Sequence, residues 1–225
     1  MLFTIVTRIY FNGFEKDKDG TKLVAGLSVL CLYFSIENVI ALYCLICLAL
    51  KFRYNLLNVI LYKNQHCKIL AKISNHHIQL SEIIHLINQS FGLPMGFFFF
   101  FNMVQNIFGS FEIFLAIKKS TDWEYAIISI IWNISTTSFM IAIVVCAEKT
   151  LKSETKIERI LNELLKSNDK NLKRILIIMD QFKHTKPELS CWIFRFDWKF
   201  ILNFLGEVLA FLVILIQFDV KFRNE

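Results

Sequence analysis

Hydrophobic residues are concentrated in four long runs that carry almost no charge. The runs are residues 23–50, 91–117, 125–147 and 200–218. Each is long enough to cross a bilayer as a helix, which takes about 20 residues at about 1.5 Å each. Backbone N–H and C=O groups must be paired within a segment in lipid, and no stretch alternates polar and apolar residues at strand length. The pattern therefore predicts an all-α, polytopic membrane protein with four transmembrane helices.

The two long segments between these runs have apolar residues at helical spacing. Residues 51–90 are expected to form a helical loop, and residues 148–199 a helical anchor region that is interrupted at Ser167-Asn168-Asp169. Two roles fit these segments: a domain that holds subunits together, or helices that lie on the inner leaflet. Many acidic residues accompany the basic ones in 148–199, which weakens attraction to anionic lipid and favours the assembly role.

Lysine and arginine are unevenly divided between the connections, which predicts the orientation because cytoplasmic loops hold the excess. Residues 51–90 contain five Lys and Arg and residues 148–199 contain twelve, so both are expected in the cytoplasm. The segments then expected outside are residues 1–22, 118–124 and 219–225. Asn88-Gln89-Ser90 is a glycosylation sequon that tests this orientation, since a glycan on it would invert the topology.

The composition agrees with lipid as the solvent. Of the 225 residues 55% are hydrophobic and 23 are Phe, whereas a soluble domain averages about 45–50% apolar residues. The net charge is +6, but the basic residues flank the apolar runs instead of forming one basic patch, which argues against a nucleic-acid partner. Six Cys do not suggest a disulfide framework, and Cys44-x-x-Cys47 is interpreted as packing because it lies deep in an apolar run.

No motif in the sequence indicates an enzyme, a cofactor or a metal site. There is no G-x-S-x-G motif, no P-loop and no pair of Asp residues within the apolar runs. The histidines lack metal-ligand spacing and are expected to be solvated; they are His66, His76, His77 and His85. A small carrier would need inverted repeats or broken helices, and Pro94-Met95-Gly96 is the only candidate break.

The last apolar run carries its polar residues on one side. At about 100° per residue, one arc of the helix contains Asn203, Glu207, Ala210, Ile214, Gln217 and Phe218. The other side contains Leu202, Leu205, Leu209, Leu212 and Ile216. Polar groups in hydrocarbon are costly unless they face protein or water, so the stripe is typical of a pore-lining helix. Hydrogen bonds from these residues to neighbouring helices explain it equally well.

Residues 189–218 resemble the C-terminal signature of insect gustatory receptors. The family has a Cys-x-x-Phe-x-hydrophobic-Asp stretch, which matches Cys191 to Asp197 here. Its last helix closes on Thr-Tyr, five hydrophobic residues and Gln-Phe; this chain has Ala210-Phe211 in place of Thr-Tyr and keeps the spacing to Gln217-Phe218. Ile83 to Gly92 resembles the family's sequence at the start of its fifth helix.

The resemblance covers the fourth to seventh helices of the family. It implies either a partial product of a receptor gene or a reduced relative that lacks the first three helices. It further implies a multi-pass protein in the plasma membrane of chemosensory neurons that forms a homo- or hetero-tetramer. Each tetramer would be a ligand-gated, non-selective channel for monovalent and divalent cations, with the last helix of each subunit around the pore. Gln217 and Phe218 would then form the constriction.

The resemblance also implies a small-molecule tastant such as a sugar or a bitter compound, bound in the outer half of each subunit. By polarity alone, the candidate lining residues are Glu112, Ser129, Trp132, Asn133 and Thr136. The hydroxyl groups among them also suit simple helix packing. The alternative function is a truncated, non-conducting membrane subunit that only assembles with full-length receptors.

Overall fold

The structure is a computed structural model that describes residues 21–63, 67–119, 123–167, 172–184, 186–191 and 193–224. Almost all of these residues are helical, and an isolated antiparallel bridge joins Ser190 to Arg195. The five helices of the described residues are α1 (Thr21–Lys63), α2 (Cys67–Lys119), α3 (Trp123–Ser167), α4 (Leu172–His184) and α5 (Trp198–Asn224). The predicted all-α fold class is confirmed. Most of the predicted N-terminal segment 1–22 lies outside the described residues.

Four of these helices are long and apolar enough to cross a membrane. The candidate spans are Phe34–Lys63 in α1, Ile69–Lys118 in α2, Ala126–Lys166 in α3 and Trp198–Asp219 in α5. Each predicted apolar run lies inside one of these helices, so the prediction of a polytopic helical membrane protein is confirmed.

The first three helices are much longer than a bilayer is thick. Helix α2 has 53 residues, which corresponds to about 80 Å at 1.5 Å per residue, against a hydrocarbon core of about 30 Å. It continues past Pro94, the candidate break, without interruption. Neighbouring helices can compensate for the hydrogen bond that proline removes in such a setting. Helix α3 ends at Ser167, where the sequence pattern predicted an interruption, and α4 begins at Leu172.

The described residues form two compact units. The first contains the described residues up to Leu42, Phe98–Ile141, and the described residues from Ile201 onward. The second contains Tyr43–Phe97 and Ala142–Phe200. The core of the second unit has Tyr43, Tyr54, Met95, Ile157 and Phe196 among its most buried side chains. Helix α4 contributes Ile175, Ile178 and Phe182 to it, spaced three and four residues apart as on one face of a helix.

The prediction that His77 is solvated was wrong. Its side chain is 0% exposed, with Nε2 3.2 Å from Oε1 of Glu154. The ring stacks on Phe182 at 3.9 Å between centroids and meets Tyr54 edge-on at 5.9 Å. His77 follows Ile73 by four residues and therefore lies on the same buried face of α2, which the apolar spacing alone could have indicated. His76 and His85 are exposed as predicted, and His66 lies outside the described residues.

Candidate functional sites

Helix α5 packs on its own chain through one narrow face. Ile201, Phe204 and Val208 are buried on this face, three and four residues apart. All residues of the predicted polar stripe are exposed instead; these are Asn203, Glu207, Ala210, Ile214, Gln217 and Phe218. At 100° per residue, the middle of the stripe lies roughly 120° around the helix from the buried face. The polar stripe therefore lies on a side of α5 that does not pack on the rest of the described chain.

The leucine side of α5 is exposed as well. Leu202, Leu205 and Leu209 are 68%, 42% and 61% exposed, so the side opposite the stripe in the sequence pattern is not the packing face. The hydrophobic pattern did not reveal this, because nearly every residue between the polar positions is apolar. The exposed leucines suit contact with lipid, which leaves the polar stripe as the side that needs another partner.

A polar seam joins α2 to α3 within the first unit. The seam consists of Asn106, Gly109, Glu112, Ser129, Asn133 and Thr137. Ser129 Oγ donates a hydrogen bond to Glu112 Oε2 at 3.4 Å, and Thr137 Oγ1 donates to Asn106 Oδ1 at 3.3 Å. A Cβ atom at Gly109 would come within 2.9 Å of the Asn133 amide, so glycine permits this close approach. Asn133 Oδ1 is buried and has no hydrogen-bond partner among the described residues.

Three of the five predicted ligand-binding residues meet at this seam, namely Glu112, Ser129 and Asn133. Thr136 is buried, but its hydroxyl donates within its own helix, to Trp132 O at 3.1 Å and to Asn133 O at 3.3 Å. Trp132 is half-buried on the same helix. The seam is closely packed, and its buried amide oxygen is the feature that a hydrogen-bond donor on a ligand could satisfy.

Two cavities lie in the second unit, away from the predicted ligand residues. One has a volume of about 390 Å³ and is lined by α3 residues that include Glu158, Arg159 and Lys166. The other, of about 190 Å³, has Glu154 and Arg195 among its lining residues. None of the five predicted ligand residues lines either cavity.

A short turn before α5 contains the matched Cys191-to-Asp197 stretch. We call residues 188–191 and 193–197 the signature turn. Phe196 N donates to Leu189 O at 3.1 Å across it. Asp197 Oδ1 accepts a hydrogen bond from Phe200 N at 2.8 Å, three residues further on. An aspartate that accepts from the N–H three residues later is an N-cap, so the Asp of the signature begins the last helix.

The signature turn packs on α1 and α2 through its apolar members. Phe196 is 2% exposed and meets Tyr43 of α1 edge-on at 5.7 Å. Cys191 is buried near Gly96 of α2, where an added Cβ would lie 3.8 Å from the Cys191 Sγ. Burial raises the pKa of the Cys191 thiol above its ordinary value. The cysteine of the signature is therefore a packing residue.

Asn88 of α2 holds the other end of the signature turn. Its Nδ2 donates to Glu188 O, and its Oδ1 accepts from Ser190 N at 3.1 Å. Both polar atoms of the amide thus bind backbone groups of the turn. Asn88 is also the acceptor residue of the sequon, a second role that the sequence did not indicate.

Residues 2–222 match the model of a family described as 7tm Chemosensory receptor. The match spans nearly the whole chain. The chain belongs to this chemosensory receptor family. The resemblance to insect gustatory receptors that the sequence indicated is thereby confirmed at the level of the family. The family is one of receptors and not of enzymes.

A comparison with curated proteins finds no match to this chain. The family description names seven transmembrane helices, and the described residues contain four candidates. A chemoreceptor role and a multi-pass membrane location therefore follow from the family and the apolar helices.

Proposed function

We propose that this receptor is a subunit of a ligand-gated, non-selective cation channel that detects tastants such as sugars or bitter compounds. It acts in the plasma membrane of chemosensory neurons as a homo- or hetero-tetramer. The observation that carries the proposal is the position of the polar stripe of α5, on the side facing away from the subunit's own core. Such a stripe needs water or another subunit beside it in the membrane.

Four copies of α5 around a common axis would satisfy this need. Glu207 would supply a ring of carboxylates that attracts cations, and rings of charged side chains are a known basis of cation selectivity. Gln217 and Phe218 would form the constriction, with Ile214 and Ala210 below it and Asn203 at the inner end. Apolar rings close a pore by excluding water, and an adjacent amide can orient ions once the ring widens.

The α2–α3 seam is the proposed ligand-binding region. The buried Asn133 Oδ1 lacks a donor among the described residues, and leaving such an oxygen unsatisfied costs about 1–3 kcal/mol. A hydroxyl group of a sugar or an amine of a bitter compound supplies that donor, with Glu112 and Ser129 one helical turn away. Ligand can favour opening only if it binds the open arrangement of the seam more tightly than the closed one. Trp132 and Thr136 lie on α3, as Ser129 and Asn133 do, and complete the proposed region.

The proposed topology places residues 51–90 and 148–199 in the cytoplasm, with 118–124 and 219–225 outside. The hydrogen bonds of Asn88 support the first part, because they occupy the amide that a glycan would need. The second part is supported by Lys118 Nζ, which lies 2.8 Å from Asp219 Oδ2 and thus joins two segments assigned to the same side.

Replacing Gln217 tests the pore. In cells that express the receptor, sucrose and denatonium are the probes, and cation current is recorded together with the amount of tetramer at the surface. Gln217→Ala should lower the ligand-evoked current about fivefold, as expected for the loss of about 1 kcal/mol of hydrogen bonding to a permeating ion. Gln79→Ala, the same change at an exposed position outside the apolar runs, should leave the current unchanged.

Flat current from abundant surface tetramer under every condition would contradict the channel. The same exposed stripe of α5 fits a second function, a non-conducting subunit that assembles with other receptors through this face. Cross-linking from α5 that gives stable complexes with partner receptors, together with an absence of current, would select that function.

A further inference from the structure

The outer end of the last helix is joined to α2 by an ion pair. Lys118 Nζ lies 2.8 Å from Asp219 Oδ2, and the two side chains are 33% and 16% exposed. Lys118 Nζ also lies 5.7 Å from the centroid of the Phe114 ring, one turn earlier on α2, in cation–π geometry. The lysine is thus positioned by its own helix and directed at the carboxylate. Both partners belong to the first unit.

This pair lies directly beside the proposed constriction. Asp219 follows Gln217 and Phe218 in the sequence and belongs to the same helix. The packing of α5 weakens towards this end: Ile201, Phe204 and Val208 are buried, whereas every side chain from 209 to 219 is at least partly exposed. A directed contact at Asp219 therefore restrains a part of the helix that apolar packing holds loosely.

Helix α2 connects the pair to the proposed ligand-binding region. Glu112, which accepts a hydrogen bond from Ser129, lies six residues before Lys118 on the same helix. The distance between them along α2 is about 9 Å at 1.5 Å per residue. A rotation or shift of α2 caused by a ligand at Glu112 therefore moves Lys118 as well, because an uninterrupted helix transmits such motion as one body.

We propose that Lys118 and Asp219 form a gating tether that positions Gln217 and Phe218 and couples them to the α2–α3 seam. This inference rests on the proposed channel function and names the regulation of its constriction. Intact, the tether holds the outer end of each last helix at a fixed radius, which keeps the apolar ring narrow enough to exclude water. Broken, it leaves that end free to move, and the closed ring becomes leaky.

A merely structural ion pair makes a different prediction. If Lys118 and Asp219 only stabilised the fold, reversing either charge would reduce the amount of protein at the surface and leave the current per tetramer unchanged. A tether changes the current per tetramer and the fraction that flows without ligand. Exchanging the two charges restores the attraction under either explanation. The tether requires that the exchange also restores the ligand-free current per tetramer, and not only the amount of protein at the surface.

Charge reversal with surface quantification separates these possibilities. Lys118→Asp and Asp219→Lys should each raise the ligand-free cation current per surface tetramer about fivefold, the ratio expected for losing a partly exposed ion pair. The double variant Lys118→Asp/Asp219→Lys should return the current close to the wild-type value, which is the coupling that a double-mutant cycle measures. Lys152→Asp is the matched control, because Lys152 also pairs with a carboxylate, that of Glu148, but within one helix.

A second measurement does not depend on conduction. In Lys118→Cys/Asp219→Cys, a short bis-maleimide should link the two positions, as detected by mass spectrometry, and the single-cysteine variants control for native thiols. The link should also reduce the current evoked by sucrose or denatonium, since it fixes the outer end of α5.

The outcomes distinguish failure of the tether from failure of the channel. If the wild type conducts and both charge reversals give the same ligand-free current as the wild type, the tether is overturned and the channel function stands. The same conclusion holds if the double variant has as much ligand-free current as the single variants. An absence of current in the wild type and in every variant overturns the channel, and the tether falls with it as a gating device. Cross-linking in that case shows only that the two helix ends are close.

Discussion

At the scale of single residues, buried polar side chains tie the helices of the second unit together. Asn58 Nδ2 of α1 donates to Ser153 O of α3 at 2.8 Å, and Thr150 Oγ1 of α3 donates to Cys47 O of α1 at 2.8 Å. Polar groups buried in this way cost free energy when a partner is removed, which fixes one arrangement of the helices more sharply than apolar packing does. His77, like Thr150, is 0% exposed, and it contacts three other helices through Tyr54, Glu154 and Phe182.

Replacing His77 should therefore destabilise the receptor strongly. His77→Ala removes a stacked ring and leaves Glu154, which is 5% exposed, without its partner at 3.2 Å. We expect the free energy of unfolding to fall by about 3–5 kcal/mol. Thermal unfolding in detergent micelles measures the loss. The adjacent His76→Ala is the matched control and should change stability by less than about 0.5 kcal/mol, because His76 is exposed. Equal losses in the two variants would contradict this account.

At the scale of elements, the helices could be predicted from the sequence and their partners could not. The four apolar runs specify helices because lipid leaves the backbone no other way to pair its polar groups. Which side chains meet depends on how each helix is rotated and shifted, and a single sequence does not contain that information. Glu112 could be predicted as a polar site, but its pairing with Ser129 could not. In the sequence, Lys118 contributed only to the number of basic residues in the segment 118–124, and its contact with Asp219 became visible only in the structure.

The signature turn is a motif whose residues could be predicted from the sequence but whose contacts could not. Its Cys, Phe and Asp could be matched to a family pattern, whereas their roles in packing and capping became visible only in the structure. The turn packs within the second unit, on Asn88, Tyr43 and Gly96. Through the Asp197 N-cap, the turn determines where the last helix begins.

The packing of the turn should make Cys191 a poor nucleophile. Thiolate and not thiol reacts with iodoacetamide, and burial raises the pKa of the Cys191 thiol. Less thiolate is therefore present at a given pH in the folded receptor than in the denatured chain. Alkylation of Cys191, followed by mass spectrometry between pH 7 and pH 10, should be slower in the folded protein and have its midpoint at higher pH. Identical pH profiles before and after denaturation would show that the turn does not pack as described.

At the scale of the whole molecule, the receptor has membrane-spanning helices that extend well beyond the bilayer. Helices α1, α2 and α3 each exceed the length that a bilayer requires, so each continues into an aqueous compartment. The charge distribution predicts a cytoplasmic location for the extensions with most Lys and Arg. The family match adds the chemoreceptor role, which the composition alone could not distinguish from other polytopic proteins.

The predicted orientation can be tested at Asn88. This residue begins the sequon Asn88-Gln89-Ser90, yet its amide binds Glu188 O and Ser190 N inside the second unit. If residues 51–90 are cytoplasmic, Asn88 never meets the glycosylation machinery and should carry no glycan. Endoglycosidase treatment should then leave the mobility of the receptor unchanged.

A sequon attached through a flexible linker after Glu225 provides the positive control, because the segment 219–225 is expected outside and should become glycosylated. Glycan on Asn88 and none on the added sequon would invert the topology. It would also be incompatible with the docked signature turn, since a sugar on Nδ2 removes one of its donated protons and crowds the backbone of Glu188. In that case the two tests, of orientation and of packing, would fail together, and Lys118 and Asp219 would lie on the cytoplasmic side of the pore.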